Sequence, residues 1–362
     1  MSNKLKIGII GTGGIARAHV KAYLVLDYVD IVAVADVVPG RAAQFAETLG
    51  LANAQPFDSH EALLKQELDG VSICTPNVSH HRTAVDSLRA GKNVLLEKPM
   101  SVTLEQAIEM VEVSQASDRM LTIGFQPRYD PNMKKLQEIV QSGRLGNVYY
   151  VETGGGRRRG MPAGTFIRKD LAGAGAMADI GCYSLDLALN TMGHPRPLTV
   201  SAYTSSHFGR NPLYHPEADR FEVEDFGVAL VRFENDMVLQ FKISWAMHMD
   251  TLGPTLFLGS DAGLKVMPAG KGPWSGVWDG KIGSMKLYHD DFGGHTETEV
   301  PLIEHSINLF SAKVHDFAEA VRDGRPAPIP GQQILIQQAI IDGVLRSSDL
   351  RREVSVELPA GL

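Results

Sequence analysis

Three groups of residues in this 362-residue sequence have the types and spacing that chemistry needs. The first is Gly11-Thr12-Gly13-Gly14-Ile15-Ala16, a Gly-x-Gly-x-x-Gly/Ala pattern between an apolar run and a helical pattern. Gly11 permits a tight turn, Gly13 lets the backbone approach a pyrophosphate, and Ala16 is small enough for close helix–strand packing. The helix N-terminus then offers free N–H groups and the positive end of its dipole to phosphates, with Gly14 and Ile15 in its first turn. Asp36 follows at the end of the second strand, where an acidic side chain takes the adenosine ribose hydroxyls. A carboxylate there repels a 2′-phosphate, and Val37, Val38 and Pro39 supply no cation; Arg41 is expected on the second helix. NAD is therefore the expected cofactor, ahead of NADP. The second group is Lys98, at the carboxyl end of a parallel strand beside the nucleotide site. The third is Asp179, Tyr183 and Asp186, which at positions i, i+4 and i+7 share one helix face. The twelve histidines form no His-x-x-x-His or similar cluster, so no metal is expected.

These groups need elements to hold them. The first third alternates short β-branched runs (6–10, 31–35, 70–74, 93–97, 120–124) with helical patterns (15–26, 41–49, 80–90, 104–116). That alternation reads as βαβ units on a doubly wound parallel sheet, a Rossmann α/β domain over 1–124. The runs are mostly apolar rather than alternating, as expected where helices cover both faces. From 125 to 362 the pattern is α+β, with expected helices at 131–142, 176–192, 307–323 and 332–347. Strands are expected at 148–154, 198–205, 224–233, 238–246, 255–259 and 353–357, separated by turn residues such as Asn235-Asp236, which suggests a mainly antiparallel open sheet.

Composition narrows the partners. The residues are 44% hydrophobic and 21% charged, ordinary for a globular protein, and the length favours two domains. A net charge of −7 argues against a nucleic-acid surface. No apolar run is long enough to span a membrane, and the first ten residues lack the pattern of a signal peptide. Cys74 and Cys182 form no framework, so a reducing, cytoplasmic setting is expected.

Glu97-Lys98-Pro99 follows one strand, and Cys74-Thr75-Pro76-Asn77 follows the strand before it. With the glycine fingerprint and Asp36, these strings resemble the glucose–fructose oxidoreductase/inositol dehydrogenase (Gfo/Idh/MocA) family. The resemblance extends to Ala90-Gly91-Lys92-Asn93-Val94, Gly124-Phe125-Gln126-Pro127-Arg128 and the run 173–181, and so covers nearly the whole chain. It implies an enzyme that is a nicotinamide-dependent dehydrogenase of CH–OH groups. The first domain would carry the cofactor, and the substrate would sit between the domains. The exposed sheet face would make homodimer or homotetramer contacts. It implies Thr75, Pro76, Asn77, His80, Glu97, Lys98 and Gln126 as further cofactor residues. It also implies Lys98, Asp179 and Tyr183 as the catalytic set, with tyrosine where the family usually has histidine. The Lys98–Pro99 bond is expected to be cis, since aiming Lys98 from the strand end needs a tight turn.

Oxidising a secondary alcohol requires removal of the hydroxyl proton by a group whose pKa is shifted toward neutrality. Free lysine and tyrosine both titrate near about 10. A Lys98 cation beside Tyr183 favours the phenolate, while desolvation tends to release the lysine proton, so either is the formal base. Asp179 is expected as the orienting acceptor. Arg157-Arg158-Arg159-Gly160-Met161-Pro162, followed by Phe166, looks like the stretch in family members that oxidise the 3-hydroxyl of glucosides or act on levoglucosan-like sugars. Arginine forks such as those of Arg157, Arg159 and Arg128 suit vicinal hydroxyls or a carboxylate. Tyr183 leans instead toward aldose 1-dehydrogenases and aldose–aldose oxidoreductases. Two further readings stay open: a sugar- or NAD-sensing regulator without turnover, and an NAD-dependent glycosidase.

Overall fold

The computed structural model describes residues 4–250, 252–269, 274–275 and 282–359. The chain divides into two compact units, Met1–Gln126 with Ile307–Leu335, and Pro127–Ser306 with Ile336–Leu362.

The first unit is built on six parallel strands: β1 (Leu5–Ile10), β2 (Val29–Ala35), β3 (Gln55–Phe57), β4 (Gly70–Ile73), β5 (Asn93–Leu96) and β6 (Leu121–Ile123). Their order is β3-β2-β1-β4-β5-β6, so the winding reverses between β1 and β4. A ligand crevice belongs at the carboxyl ends beside that reversal. The helices start where the sequence offers caps: the Thr103 hydroxyl accepts from the Gln106 amide before the helix Leu104–Ser117, and Ser59 does the same for His60–Leu64. Strand β3 and the short helix His60–Leu64 go beyond the sequence expectation. Gln55 and Pro56 are exposed, and an edge strand of three residues carries no apolar run to betray it.

The expected boundary, with everything from 125 onward in the second domain, needs correction. The helix Leu309–Asp323 belongs to the first unit, where Val314, Phe317 and Ala318 are buried in one core with Ile7, Ile9, Leu95 and Cys74. Ile329 adds a backbone bond to Ile123, and its carbonyl also accepts from the Thr122 hydroxyl.

The second unit carries a ten-stranded sheet: β7 (Val148–Arg157), β8 (Pro197–Ser205), β9 (Phe226–Phe233), β10 (Val238–Ser244), β11 (Thr255–Gly259), β12 (Ala262–Pro268), β13 (Trp274–Ser275), β14 (Ile282–Asp291), β15 (Gly294–Val300) and β16 (Val354–Ser355). The order is β15-β14-β12-β11-β7-β10-β9-β8-β16, with β13 on β7. Among the described residues, every pairing is antiparallel except β7 with β10. Buried and half-buried positions alternate along β9 and β10. One face therefore packs into a core of Val151, Leu185, Leu189, Phe241, Phe257, Ile340 and Val344, and the other is left half-exposed. Among the described residues, no helix is long and apolar enough to cross a membrane.

Candidate active site

The glycine loop leaves β1 as its pattern demands. Gly11 has φ +90°, and a Cβ on it would lie 2.6 Å from the Cys74 carbonyl oxygen, so no side chain is tolerated. A Cβ on Gly13 or Gly14 would meet nothing within 4 Å. That open space lies at the N-terminus of the helix Gly14–Tyr23, whose Ala16 is fully buried against the sheet. Asp36, just past β2, is tied to the loop: its Oδ2 accepts from the Thr12 amide (3.1 Å) and hydroxyl, and its Oδ1 from the Val38 amide (3.0 Å). Burial works to raise its pKa, but these bonds and the charge of Arg41 outweigh it and hold it below the ordinary carboxylate value. Arg41 opens the second helix as expected, yet its Nε lies 3.9 Å from Asp36 Oδ2. After β4, the Thr75 hydroxyl oxygen is buried and has no hydrogen-bond partner among the described residues. Pro76 caps the helix that begins at Asn77. An open cradle over a helix N-terminus, an anchored carboxylate and an orphaned hydroxyl fit a dinucleotide.

Lys98 is half-buried, between neighbours that are fully committed. Glu97 is 7% exposed, and its Oε1 accepts from His19 Nε2 (2.7 Å) and from Lys313 Nζ. Burial opposes the Glu97 carboxylate, but the Lys313 cation and the His19 bond hold its pKa well below the usual range. Burial lowers the His19 pKa and Lys313 adds to the effect, while the bond to Glu97 opposes it; Nε2 is the nitrogen that faces the carboxylate and donates to it. On the other side, the Lys98–Pro99 bond is cis as expected. The Pro99 carbonyl lies 2.7 Å from His80 Nδ1, whose Nε2 lies 3.0 Å from the Thr75 carbonyl. His80 is 1% exposed, so it braces two turns of the crevice rather than presenting a free nitrogen. Gln126 is buried at the end of this unit.

In the second unit, the expected single helix over 176–192 is broken. Ala176–Asp179 and Gly181–Thr191 meet at Ile180, where the Tyr183 amide bonds the Ile180 carbonyl at 3.2 Å. Asp179 Oδ2 accepts from Trp245 Nε1 at 3.0 Å. The first turn is fixed by Glu224, whose Oε1 accepts from the Gly175 (2.8 Å) and Met177 (3.0 Å) amides. A Cβ on Gly175 would fall 2.0 Å from the Glu224 carbonyl oxygen. Arg157 is close enough to Asp179 and Tyr183 for both to work against the pKa lowering that burial causes. Its Nη1 also donates to the Gly160 carbonyl (2.9 Å).

Other expected members are spent elsewhere. Asp186 lies away from any open face, buried and gripped in fork geometry by Arg128 (Nε 3.0 Å, Nη2 2.7 Å). Arg128 Nη2 also donates to His194 Nε2 (3.1 Å), a ring that burial and Arg128 push down to about 4. Arg159 lies over the rings of Phe208 and Tyr214, at 5.1 and 5.2 Å, and donates to the Met247 carbonyl. Phe166 is 42% exposed on a 3₁₀ turn. Sequence reasoning passed over His19, Lys313, Glu224 and Trp245. His19 had a legible signal, a histidine one helical turn beyond Ala16; the other three are distant in sequence from what they hold.

Residues 5–125 match the family model for the Gfo/Idh/MocA oxidoreductase family with an NAD-binding Rossmann fold, and residues 133–265 match its C-terminal domain. The chain belongs to the Gfo/Idh/MocA family. It is 32% identical over 279 residues to the D-glucoside 3-dehydrogenase of Escherichia coli strain K12, covering 74% of this chain and 78% of that one. Among solved structures, levoglucosan dehydrogenase in complex with NADH and levoglucosan aligns with TM-score 0.81 at 19% identity, over 98% of this chain and 100% of that one. The aldose–aldose oxidoreductase of Caulobacter crescentus, complexed with glycerol, aligns with TM-score 0.78 at 24% identity, over 97% and 99%. Membership of the Gfo/Idh/MocA family makes the chain an oxidoreductase with an NAD-binding Rossmann domain.

Proposed function

We propose that this Gfo/Idh/MocA protein is an NAD-dependent dehydrogenase that interconverts a ring hydroxyl and a ketone of a sugar, glycoside or cyclitol, with C3 of a glucoside the first position to test. The observation that carries the reading is Lys98, a half-buried lysine at the strand end of a dinucleotide cradle, in a chain 32% identical to a D-glucoside 3-dehydrogenase. Gly11–Ile15 would hold the pyrophosphate, Asp36 the ribose hydroxyls, and the orphaned Thr75 hydroxyl would bond the cofactor where the two meet. A bound nicotinamide would supply the hydride acceptor.

The chain's own task is then to bind the sugar and take one proton. Lys98 of the first unit and Tyr183 of the second are the two groups we propose for that proton, and Asp179, whose Oδ2 accepts from Trp245, is the proposed acceptor for a substrate hydroxyl. Arg157, close enough to Asp179 and Tyr183 to feel their charge, is the arginine of the 157–159 run proposed to meet a sugar. Arg128, with its fork on Asp186, is left out of the substrate set, and Arg159 is given a wall-building role. The half-exposed sheet face suits a homodimer or homotetramer, which light scattering checks directly.

The test is reduction of NAD⁺, followed by absorbance, over alkyl glucosides, free aldoses, levoglucosan and inositols. Turnover of alkyl glucosides, which have no free anomeric hydroxyl, supports ring oxidation. Turnover confined to free aldoses supports aldose 1-oxidation, the reading that Tyr183 favours. No turnover with any of them, while NADH binds, would favour a sensing role.

A further inference from the structure

The Glu97-Lys98-Pro99 turn is braced by residues that lie outside the Gly11–Ala16 string. His19 comes from the first helix, Glu97 from the end of β5, and Lys313 from a helix 216 residues further on. All three are buried: His19 and Lys313 are each 1% exposed. A buried carboxylate is costly unless paired and hydrogen-bonded, and Glu97 is both. Lys313 also lies 3.4 Å from the Gly124 carbonyl at the end of β6, so the cation joins the ends of two adjacent strands. Gly124 makes the space: a Cβ there would sit 3.1 Å from Glu97 Oε1 and 3.2 Å from Lys313 Nζ. An apolar cluster would fill this space without the desolvation cost of two charges, so the ion pair calls for another reason.

We infer that Lys313 and His19 are positioning residues: they fix the Glu97 side chain, and through it the backbone from which Lys98 projects, while His80 fixes the far side of the same turn at the Pro99 carbonyl. Lys98 is the half-buried member of this turn, between two buried neighbours that are each hydrogen-bonded to buried side chains. With the backbone of the turn fixed, only the side-chain torsions of Lys98 itself set where its ammonium lies, and a fixed origin is what near-attack geometry requires of a group that must meet a hydroxyl. The inference rests on the reading of Lys98 as the group that meets the substrate hydroxyl.

The experiment compares the full-length Lys313→Met, Lys313→Met/Glu97→Gln, His19→Phe and Lys98→Ala proteins. Melting temperature, NADH affinity by fluorescence, and kcat and KM on the best substrate are measured for each. Lys313→Met leaves Glu97 a buried charge without its cation, which destabilises the fold; the double variant removes both charges, and His19→Phe leaves the ion pair whole. The double variant should melt above Lys313→Met. Both it and His19→Phe should keep NADH affinity within about threefold, yet lose about 10–100-fold in kcat, the scale of a misplaced group. Wild-type kcat in the double variant or in His19→Phe overturns the inference, because the cluster is then only a stabilising one. A kcat loss matched by an equal loss of NADH affinity also overturns it, by assigning the cluster to cofactor binding. Full activity in Lys98→Ala sinks the reading of Lys98 itself, and it is recognisable whatever the other variants do.

Discussion

Asp36 has its two oxygens held by Thr12 and Val38, and a guanidinium 3.9 Å away, so the proposed preference for NAD sets its carboxylate against a phosphate in a setting where the cation for one already exists. Asp36→Ala removes a charged acceptor worth about 1.5–3 kcal/mol, so NAD should bind roughly 10–100-fold more weakly. Arg41, half-exposed and released from its partner, would then be free to pair with a 2′-phosphate, and the NAD/NADP ratio of kcat/KM should fall toward one. A wild-type enzyme already tenfold better with NADP would sink the assignment of Asp36. The second residue-scale prediction concerns the proton. Lys98→Ala should lower turnover by about 10²–10⁴-fold, the range of acid–base groups. Tyr183→Phe keeps the ring, which is 7% exposed and packed, and deletes only the hydroxyl, so its loss reports chemistry rather than folding. If the two act as a unit, the double variant should be little worse than the poorer single one. Full activity in Tyr183→Phe would leave the tyrosine a packing role.

At the scale of elements, the turn that carries Asp179 is set by Glu224 at the entry to β9, through two amides that its single Oε1 accepts. Burial raises the Glu224 pKa, and the amide bonds only partly offset it. A raised carboxyl contributes stability that is complete below the ordinary glutamate range and is lost as pH rises through the folded-state value. Glu224→Gln keeps an oxygen for both amides and removes the charge. It should therefore flatten the decline in melting temperature from acid to neutral pH, with kcat nearly intact. Glu224→Ala strands two buried amides, should cost about 2 kcal/mol or more, and should lower kcat by loosening Asp179. Equal pH slopes in wild type and Glu224→Gln would refute the raised carboxyl. Elements of this kind were unevenly legible in the sequence. The parallel strands other than β3 announced themselves because their positions are mostly buried and mostly apolar. The strands β12, β14 and β15 did not, since their outward residues are glycine, lysine, aspartate and glutamate, and the buried positions alone make too sparse a pattern. The break at Ile180 was hidden for another reason. Ala176–Thr191 reads as one helical pattern, and what divides it is tertiary: Gly181 sits where a Cβ would lie 2.9 Å from the Phe241 ring. Chemistry-bearing residues were legible where their neighbours in sequence are also their neighbours in space, as with Gly11–Ala16. Lys313 and Trp245 became visible only on folding.

For the molecule as a whole, the family match over 5–125 suggests a first domain that is continuous in sequence, whereas the structure makes it depend on a segment almost two hundred residues away. Val314, Phe317 and Ala318 are fully buried against Ile7, Ile9 and Leu95 on the β1–β5 side of the sheet. Uncovering a buried side chain of this size costs about 1.5–3 kcal/mol, and two such side chains lie in the helix Leu309–Asp323. Losing Lys313 strands the Glu97 carboxylate in an apolar site, a further cost of about 3–5 kcal/mol. Together these are comparable with the entire stability of an ordinary domain, about 5–15 kcal/mol. A polypeptide of residues 1–126 should therefore show no cooperative melt and no NADH binding. The same polypeptide joined by a flexible linker to residues 307–335 should recover both, because every buried partner of that helix in the first-unit core is then restored. The comparison is read by circular dichroism on heating and by NADH fluorescence. A cooperative transition with NADH binding in 1–126 alone would show that the returning helix is an accessory to the nucleotide domain. Failure of the linked version alone would point instead to support from residues 336–350, the remainder of the helix that begins at Gly331.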